Sequence, residues 1–276
     1  MSDLHRFADA DARLFGVPTG VLLEEVLAHV WESGLRPDHV VITGDHAHDD
    51  RAETYAAVRE LLEPVLDRLW PLPGNHDDRA TLRAAFPDRV PGQGSDRINF
   101  AFTAGDWLCL GLDTQLTGAV AGRLGADQAA WIRRQLAAHD PRAAVLFMHH
   151  PPVELGLAWL DRIGLEDADV LLHLLAQEPR IRLVCCGHVH HESSTRLPTA
   201  EVVTVPSTGL QFSSVSDEAE FVDAPPGYRV VDRAGRCDHA RAGRCERERR
   251  RPSDPASGAR HERHPACAPG HGCVGA

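Results

Sequence analysis

The sequence predicts an α/β fold, and three observations carry that reading. Short apolar or β-branched runs alternate with stretches of helical period along most of the chain. Several of those runs end in a cluster of Asp, Asn or His. The 276 residues, 43% of them hydrophobic, are enough to bury a sizeable core. No apolar run approaches the ~18–20 residues that a bilayer span needs.

From Pro18 to Ser33, Val21, Leu22, Glu25, Val26, His29 and Val30 follow a 3–4 spacing, which predicts a helix that stops at Gly34. Val40-Val41-Ile42-Thr43 reads as a buried strand. A second helix is expected from about Ala52 to Leu69, kinked or split by Pro64. Leu69-Trp70-Pro71-Leu72 is the next strand, and Arg79 to Phe86 a short helix. Ile98–Phe102 and Trp107–Leu112 read as a hairpin around Ala104-Gly105-Asp106. Gly125–His139 is helical, Ala143–Met148 a strand, 167–177 a helix, and Ile181–Cys186 a strand. Arg196–Pro206 and Tyr228–Asp232 are the last expected strands.

The net charge of −11 disfavours nonspecific nucleic-acid binding, which needs a basic footprint. The opening Met1-Ser2-Asp3-Leu4-His5 has neither a basic end nor an apolar h-region, so the expected location is the cytoplasm. All 29 basic residues are Arg, as a GC-rich gene would produce. Cys109, Cys185 and Cys186 sit in strand-like runs and read as buried hydrophobes. Cys237, Cys245, Cys267 and Cys273 match no usual zinc spacing, and neither a disulfide nor a zinc site is expected of them. They lie in residues 233–276, which hold ten Arg against five acidic residues and no apolar period. That composition reads as a disordered tail, in preference to a basic arm, and resembles GC-rich DNA translated out of frame. Residues 1–232 form the folded domain.

Pro73-Gly74-Asn75-His76-Asp77-Asp78 is a tight strand-to-helix turn. Alone it is explained by turn chemistry, because Gly and Asn tolerate left-handed backbone and Asp starts helices. Four more polar clusters change the balance: Asp3 with His5, Asp45, His149 with His150, and His188 with His190. In open α/β sheets, ligand-binding groups gather at the carboxyl ends of strands. Carboxylate, carboxamide and imidazole form a ligand set suited to Mn²⁺, Fe or Zn²⁺. Three or four ligands would serve one ion. Asp3, His5, Asp45, Asn75, His149, His188 and His190 are seven, enough for two ions with four each if one carboxylate bridges. Two metals ~3.5–4 Å apart clamp the attacking and leaving oxygens of a phosphoryl displacement.

In order along residues 2 to about 232, Asp3-x-His5, Gly44-Asp45, Gly74-Asn75-His76-Asp77, His149-His150-Pro151-Pro152 and Gly187-His188-Val189-His190 resemble the calcineurin-like metallophosphoesterases. Within them the chain is most similar to the bacterial class III cyclic-nucleotide phosphodiesterases. The resemblance implies a four-layer αββα sandwich of two mixed β-sheets. It implies that Asp3, His5 and His190 hold one metal, that Asn75, His149 and His188 hold a second, and that Asp45 bridges. It implies Fe and Mn as the ions, with Zn as the other choice, and a bridging hydroxide as nucleophile. His76 would be the catalytic residue, facing the substrate and protonating the leaving alkoxide. The implied substrate is a small phosphodiester, 3′,5′-cyclic AMP foremost, with glycerophosphodiesters or phosphomonoesters next. No membrane or nucleic-acid partner is implied, and a homodimer is left open.

The chain departs from the family in two places. His46 and His48 follow Gly44-Asp45 where an apolar residue and an acid are usual, and a solvated loop is the preferred reading. His150 and His191 are expected beside the ligands; His29, His39, His139 and His173 are expected to be structural; Asp77 and Asp78 read as helix caps. Only Met1 and Ser2 precede Asp3, so the first strand of the sheet is expected to be missing, with Asp3 and His5 on a free terminus. On that ground an alternative of a different class stands: a catalytically impaired metal- or nucleotide-binding protein.

Overall fold

The computed structural model describes residues 1–92, 96–232, 235 and 237–241. In chain order the elements are α1 (Thr19–Glu32), β1 (Val40–Ile42), α2 (Ala52–Leu61), a 3₁₀ segment (Glu63–Arg68), β2 (Leu69–Pro71), α3 (Arg79–Ala85), β3 (Phe100–Ala104) and β4 (Trp107–Leu112). Then come α4 (Ala126–His139), β5 (Ala143–Met148), α5 (Ala158–Asp161), α6 (Ala168–Gln177), β6 (Ile181–Cys186), β7 (Ser193–Arg196) and β8 (Glu201–Thr204). β9 (Gln211–Phe212), β10 (Phe221–Val222), β11 (Gly227–Val231) and β12 (Cys237–Arg241) complete the set.

A mixed six-stranded sheet runs in the order β3-β4-β5-β6-β8-β7, with β4, β5, β6 and β8 parallel and an antiparallel strand at each edge. Its central strands are covered on both faces, which is why they read as continuous apolar runs. In β5, Ala144, Leu146 and Met148 pack with Ile132 and Leu136 of α4 and Leu171, Leu174 and Leu175 of α6. Val145 and Phe147 point the other way, into a cluster that includes Leu72 and is flanked by Val41, Trp70 and Val231. Ile42 and Leu69 turn from there towards Leu23, Tyr55, Val58 and Leu82 of the first three helices. Three stacked apolar layers therefore separate four layers of secondary structure, as the αββα expectation requires.

The second strand layer is discontinuous. Among the described strands, β1 pairs with β2 and β11 with β12 in separate two-stranded sheets. An apolar cavity of about 610 Å³ lies between them, lined by Met1, Val40, Val41, Phe147, Tyr228 and Val230 among others. The front of the chain is nevertheless anchored, contrary to the expectation of a free terminus. The Met1 amino group donates to Val41 O (3.0 Å), Thr43 N to Met1 O, Asp3 N to Gly44 O, and His5 N to Asp45 O. These ladder bonds bury Asp3 and His5 beside the β1 loop. Burial pushes the Met1 amino group down to about 6.

One local expectation holds and two resolve differently. The helix expected over 52–69 is split near Pro64 as expected: it stops at Leu61 and continues as 3₁₀, because that proline has no N–H for an α-helical bond. The strand expected over 196–206 is a hairpin, β7 and β8, closed by Leu197 N donating to Ala200 O. β12 carries ordered structure past residue 233, where a tail was expected, because Cys237–Arg241 pairs with β11 throughout its length. Residues 242–276, with the rest of that expected tail, lie outside the described residues. Among the described residues, no helix is long and apolar enough to cross a membrane.

Candidate metal centre

The chain reverses sharply after each motif strand, and the backbone there is unusual. Asp3 (φ 55°), His5 (42°), Asp45 (55°), His188 (74°) and His190 (51°) are five of the eight described non-glycine residues with positive φ. L-residues avoid that region, and strain of this kind collects at functional sites. Two glycines make the reversals possible. A Cβ on Gly44 would strike the His149 ring and the Gly74 backbone, and one on Gly74 would strike the Asp45 carboxylate.

The motif side chains converge. Donor atoms of Asp3, His5, Asp45 and His190 all lie within 4.8 Å of one another. His5 Nε2 is 3.1 Å from His190 Nε2 and 3.5 Å from Asp45 Oδ2, and His190 Nε2 is 3.4 Å from Asp3 Oδ1. On the other side of Asp45, the same Oδ2 is 3.4 Å from His149 Nε2, which is 3.1 Å from Asn75 Oδ1. Ligand atoms held ~2.1 Å from a common ion lie about 3–3.4 Å apart, so both groups have the spacing of ligand edges. Asp45 Oδ1 accepts from His76 N at 2.9 Å, which leaves Oδ2 facing both imidazole groups.

The other ring nitrogens agree with this orientation. His149 Nδ1 donates to Thr43 O (2.8 Å) and His190 Nδ1 to Leu210 O (2.9 Å), so each turns its Nε2 inward. Such an outer hydrogen bond fixes the tautomer a metal needs. His188 is buried with no hydrogen-bond partner on Nε2, while its backbone N–H donates to the Asp3 carboxylate at 3.0 Å. An orphaned buried imidazole nitrogen beside His149 is what a missing cation would satisfy. His150 groups with His149 and His188 by distance, yet Thr114 Oγ1 (2.8 Å) and Val120 O (3.0 Å) engage both its nitrogens. We weigh those bonds above proximity and treat His150 as support. The donor set therefore suits two cations: Asp3, His5, Asp45 and His190 could hold one, and Asp45, Asn75, His149 and His188 could hold the other.

The site's own charges are strongly coupled. Burial would raise Asp3 and Asp45, but the facing imidazoles outweigh it: Asp3 is drawn down to about 2, chiefly by His190, and Asp45 well below the carboxylate range, chiefly by His149. Burial would likewise lower His149, but Asp45 and Asp3 lift it to about 9. Burial and then His149 push His188 down to about 3, and burial pushes His5 well below the usual imidazole value.

His46 and His48 do not form the expected solvated loop. His46 is fully buried, its Nδ1 3.0 Å from Asp77 Oδ2. His48 Nδ1 sits 3.2 Å from His5 Nδ1, and its ring stacks on His76 with centroids 4.9 Å apart. The two rings close over one side of His5, whose ring lies 4.9 Å from that of His76. Asp78 caps α3 by accepting from Thr81 N, as expected. Asp77 does something else: its carboxylate accepts from Gly74 N, His46 N, Ala47 N and Tyr55 Oη, tying the Asn75-His76 turn to the Asp45 loop. Gln115, which no motif marked, adds Nε2 bonds to Gly74 O and Asp77 O. Its signal was its place three residues past the apolar β4 run. His29, His39, His139 and His173 bond Tyr228, Trp70, Gln135 and Gln177 away from the cluster.

The family model described as calcineurin-like phosphoesterase matches residues 1–192. The 3′,5′-cyclic adenosine monophosphate phosphodiesterase CpdA of Pseudomonas aeruginosa is 34% identical over 229 residues, 83% of this chain and 82% of that protein. The Escherichia coli K12 protein of the same name is 30% identical, covering 84% and 83%. The glycerophosphodiester phosphodiesterase GpdQ of Enterobacter lignolyticus is 32% identical, covering 84% and 85%. Among solved structures, a dimetal phosphatase from Danio rerio superposes with a TM-score of 0.56 at 14% identity, over 83% of this chain and 90% of that one. A purple acid phosphatase from yellow lupin gives 0.60 at 15% identity, over 83% and 47%, and both show likeness of fold alone.

Proposed function

Because the chain belongs to the calcineurin-like phosphoesterase family and is a metal-dependent phosphoric ester hydrolase, we propose that its substrate is a 3′,5′-cyclic nucleotide, cyclic AMP foremost, which it opens to the 5′-monophosphate. One observation carries the dinuclear part of this reading: Asp45 Oδ2 faces His5 Nε2 at 3.5 Å and His149 Nε2 at 3.4 Å, so one carboxylate oxygen serves two ligand groups. Cations bound by these groups, Mn and Fe in our reading, would supply Lewis acidity towards the phosphoryl oxygens and an activated water. The protein's own groups do the rest. Asp3 and Asp45 hold negative charge in a buried site, Asn75 adds a neutral oxygen, and the outer bonds on His149 and His190 fix which nitrogen faces in.

His76 is the residue we assign to proton transfer. It is half-buried, its backbone N–H donates to Asp45 Oδ1, and its ring lies 4.9 Å from that of His5. From there it donates to a phosphoryl oxygen or protonates the departing 3′ oxygen. The nearness of the CpdA proteins favours cyclic AMP; that of GpdQ makes a glycerophosphodiester the alternative substrate. The test is a substrate panel on Mn²⁺-reconstituted protein, with cyclic AMP, a glycerophosphodiester and bis(p-nitrophenyl) phosphate, repeated with His76→Ala. Preferred turnover of cyclic AMP, lowered about 10²–10⁴-fold in the variant, is expected. Full activity of His76→Ala would remove the acid, and preference for the glycerol ester would replace the substrate.

A further inference from the structure

Beside the metal cluster, rings continue outward in a line. The His190 ring packs on Phe212 (centroids 4.6 Å), Phe212 on Phe221 (5.3 Å, 26° between planes), and Phe221 on Phe15 (4.5 Å, 29°). Trp159 meets Phe212 edge-on at 5.0 Å, and its Nε1 donates to Ser216 O in the loop between β9 and β10. The platform is built, since β9 and β10 pair Phe212 directly with Phe221. It is also wet. Of the six large hydrophobics exposed among the described residues, Phe15, Val215, Phe221 and Val222 lie in this hairpin or stack on it. Exposed apolar surface concentrated at one place marks a binding site.

A second observation says what binds. A cavity of about 270 Å³ opens against the same hairpin, lined by His191, Gln211, Phe212 and Val222 among others. Gln211 is 2% exposed; its Nε2 is engaged by Ser207 O (2.7 Å) and Gly209 O (3.1 Å), while Oε1 has no partner. Those two bonds fix the carboxamide, so the orphaned oxygen is an acceptor in need of an N–H. A planar ring system bearing an amino group, joined to a phosphate held by the cations next to His190, meets both requirements. We propose that Phe212, Phe221 and Gln211 form a subsite for the base of the nucleotide, selecting an amino-bearing purine, adenine, by stacking and one hydrogen bond. The proposal rests on the phosphodiester reading, which places the phosphate at the neighbouring cations.

Substrate variation tests it on the native enzyme. Relative to cyclic AMP, 3′,5′-cyclic IMP, which carries a carbonyl in place of the amine, is expected to lose roughly tenfold in kcat/KM. Base-free ribose 3′,5′-cyclic phosphate should lose a further 5- to 150-fold, the range that base–aromatic stacking spans. Phe212→Leu keeps the apolar volume but not the planar face, and should shrink the gap between cyclic AMP and the base-free diester tenfold or more. Calorimetry of AMP against ribose 5-phosphate on the Mn²⁺-loaded protein reads the same preference without turnover. Cyclic AMP hydrolysis with no preference for the base in either assay overturns the subsite and leaves the hydrolase reading standing. Tighter AMP binding without cyclic AMP hydrolysis overturns the cyclic-nucleotide substrate reading instead. A self-associated protein dispersed by Phe221→Asp, with the base preference unchanged, would assign the patch to a second copy and overturn the proposal.

Discussion

Asp77→Asn is the perturbation that separates scaffold from chemistry. The Asp77 carboxylate is buried and saturated with donors: Gly74 N (2.9 Å) and His46 Nδ1 (3.0 Å) on Oδ2, and His46 N (3.0 Å), Tyr55 Oη (3.0 Å) and Ala47 N (3.3 Å) on Oδ1. Burial and the neighbouring carboxylate push the Tyr55 phenol far up, so its proton stays in that bond. Asparagine keeps one acceptor oxygen but turns an amino group onto the other set. The His46 ring can change tautomer to accept; the Gly74 N–H cannot, and it is left opposed. An orphaned buried donor costs about 1–3 kcal/mol, and hydrogen bonds to a charge are worth roughly 1.5–3 kcal/mol. A loss of about 4 kcal/mol follows, a large part of a domain's net 5–15 kcal/mol.

For a domain of this size that loss corresponds to roughly 8–16 °C in Tm, read by thermal melting of the metal-free protein with urea unfolding as the check. Asp45→Asn is the control. Asp45 has a single fixed donor, His76 N, and its other oxygen faces imidazoles that can release a proton. Melted well above pH 9, where the ion pair with His149 has faded, it should lose less than half as much stability, and at neutral pH it should lose Mn²⁺ binding and turnover. Equal Tm losses in the two variants, or a loss under about 3 °C in Asp77→Asn, would refute the division of labour.

The stability of the metal-free protein should peak near neutral pH. His149 is raised to about 9, so its contribution, about 3 kcal/mol, is complete below its unfolded value near 6.5 and fades as pH climbs through 9. His188 and His48 are lowered to about 3 and 4, so the unfolded chain takes up protons that the fold refuses, and stability falls as pH drops below 6.5. Melting curves across pH check both limbs; a flat alkaline limb would contradict the His149 ion pair. Uptake of Mn²⁺ at pH 7.5 should expel close to one proton, from His149, measured by calorimetry in buffers of different ionisation enthalpy. His48→Leu removes the acceptor for the Nδ1–H of His5 and should weaken Mn²⁺ binding roughly 10–100-fold, with His48→Asn restoring most of it; identical variants would assign His48 to packing alone.

Asp45, Asn75, His149 and His188 were legible as candidate ligands because each sits one to three positions beyond an apolar run, so the sheet's carboxyl edge could be read as one place; Asp3 and His5 follow no such run and were legible only through the family resemblance. The αββα layering was legible for the same reason, since β4, β5 and β6 are apolar on both faces. What the sequence hides depends on partners far along the chain. His48 reads as solvated until the front of the chain, 43 residues away, brings His5 Nδ1 against it. Asp77 resembles a cap because its four donor residues are spread over 46–74. β9 and β10 are two residues each, too short for alternation to register, so the aromatic line on them escaped notice.

The positive φ values were also invisible, because the residues that adopt them are Asp and His rather than Gly. Their meaning lies in the energy balance of the metal-free protein. A non-glycine residue in that region costs of order 1–3 kcal/mol, and five of them surround a cluster of like-charged carboxylates and mutually repelling imidazoles. The ladder from Met1 to Arg6 and the Asp77 hub hold this arrangement in place, but nothing in either favours the strained state over relaxation at the ligands themselves. Cations do, because they bind only the assembled geometry. At a thousandfold excess over its dissociation constant each ion adds about 4 kcal/mol. Two ions then raise Tm by well over 10 °C for a domain of this length. Asp45→Asn, which removes the shared oxygen, should forfeit more than half of that rise, whereas Asn75→Ala, confined to the second group, should forfeit less. If both variants give up the same share, Asp45 serves one ion and the bridging assignment fails.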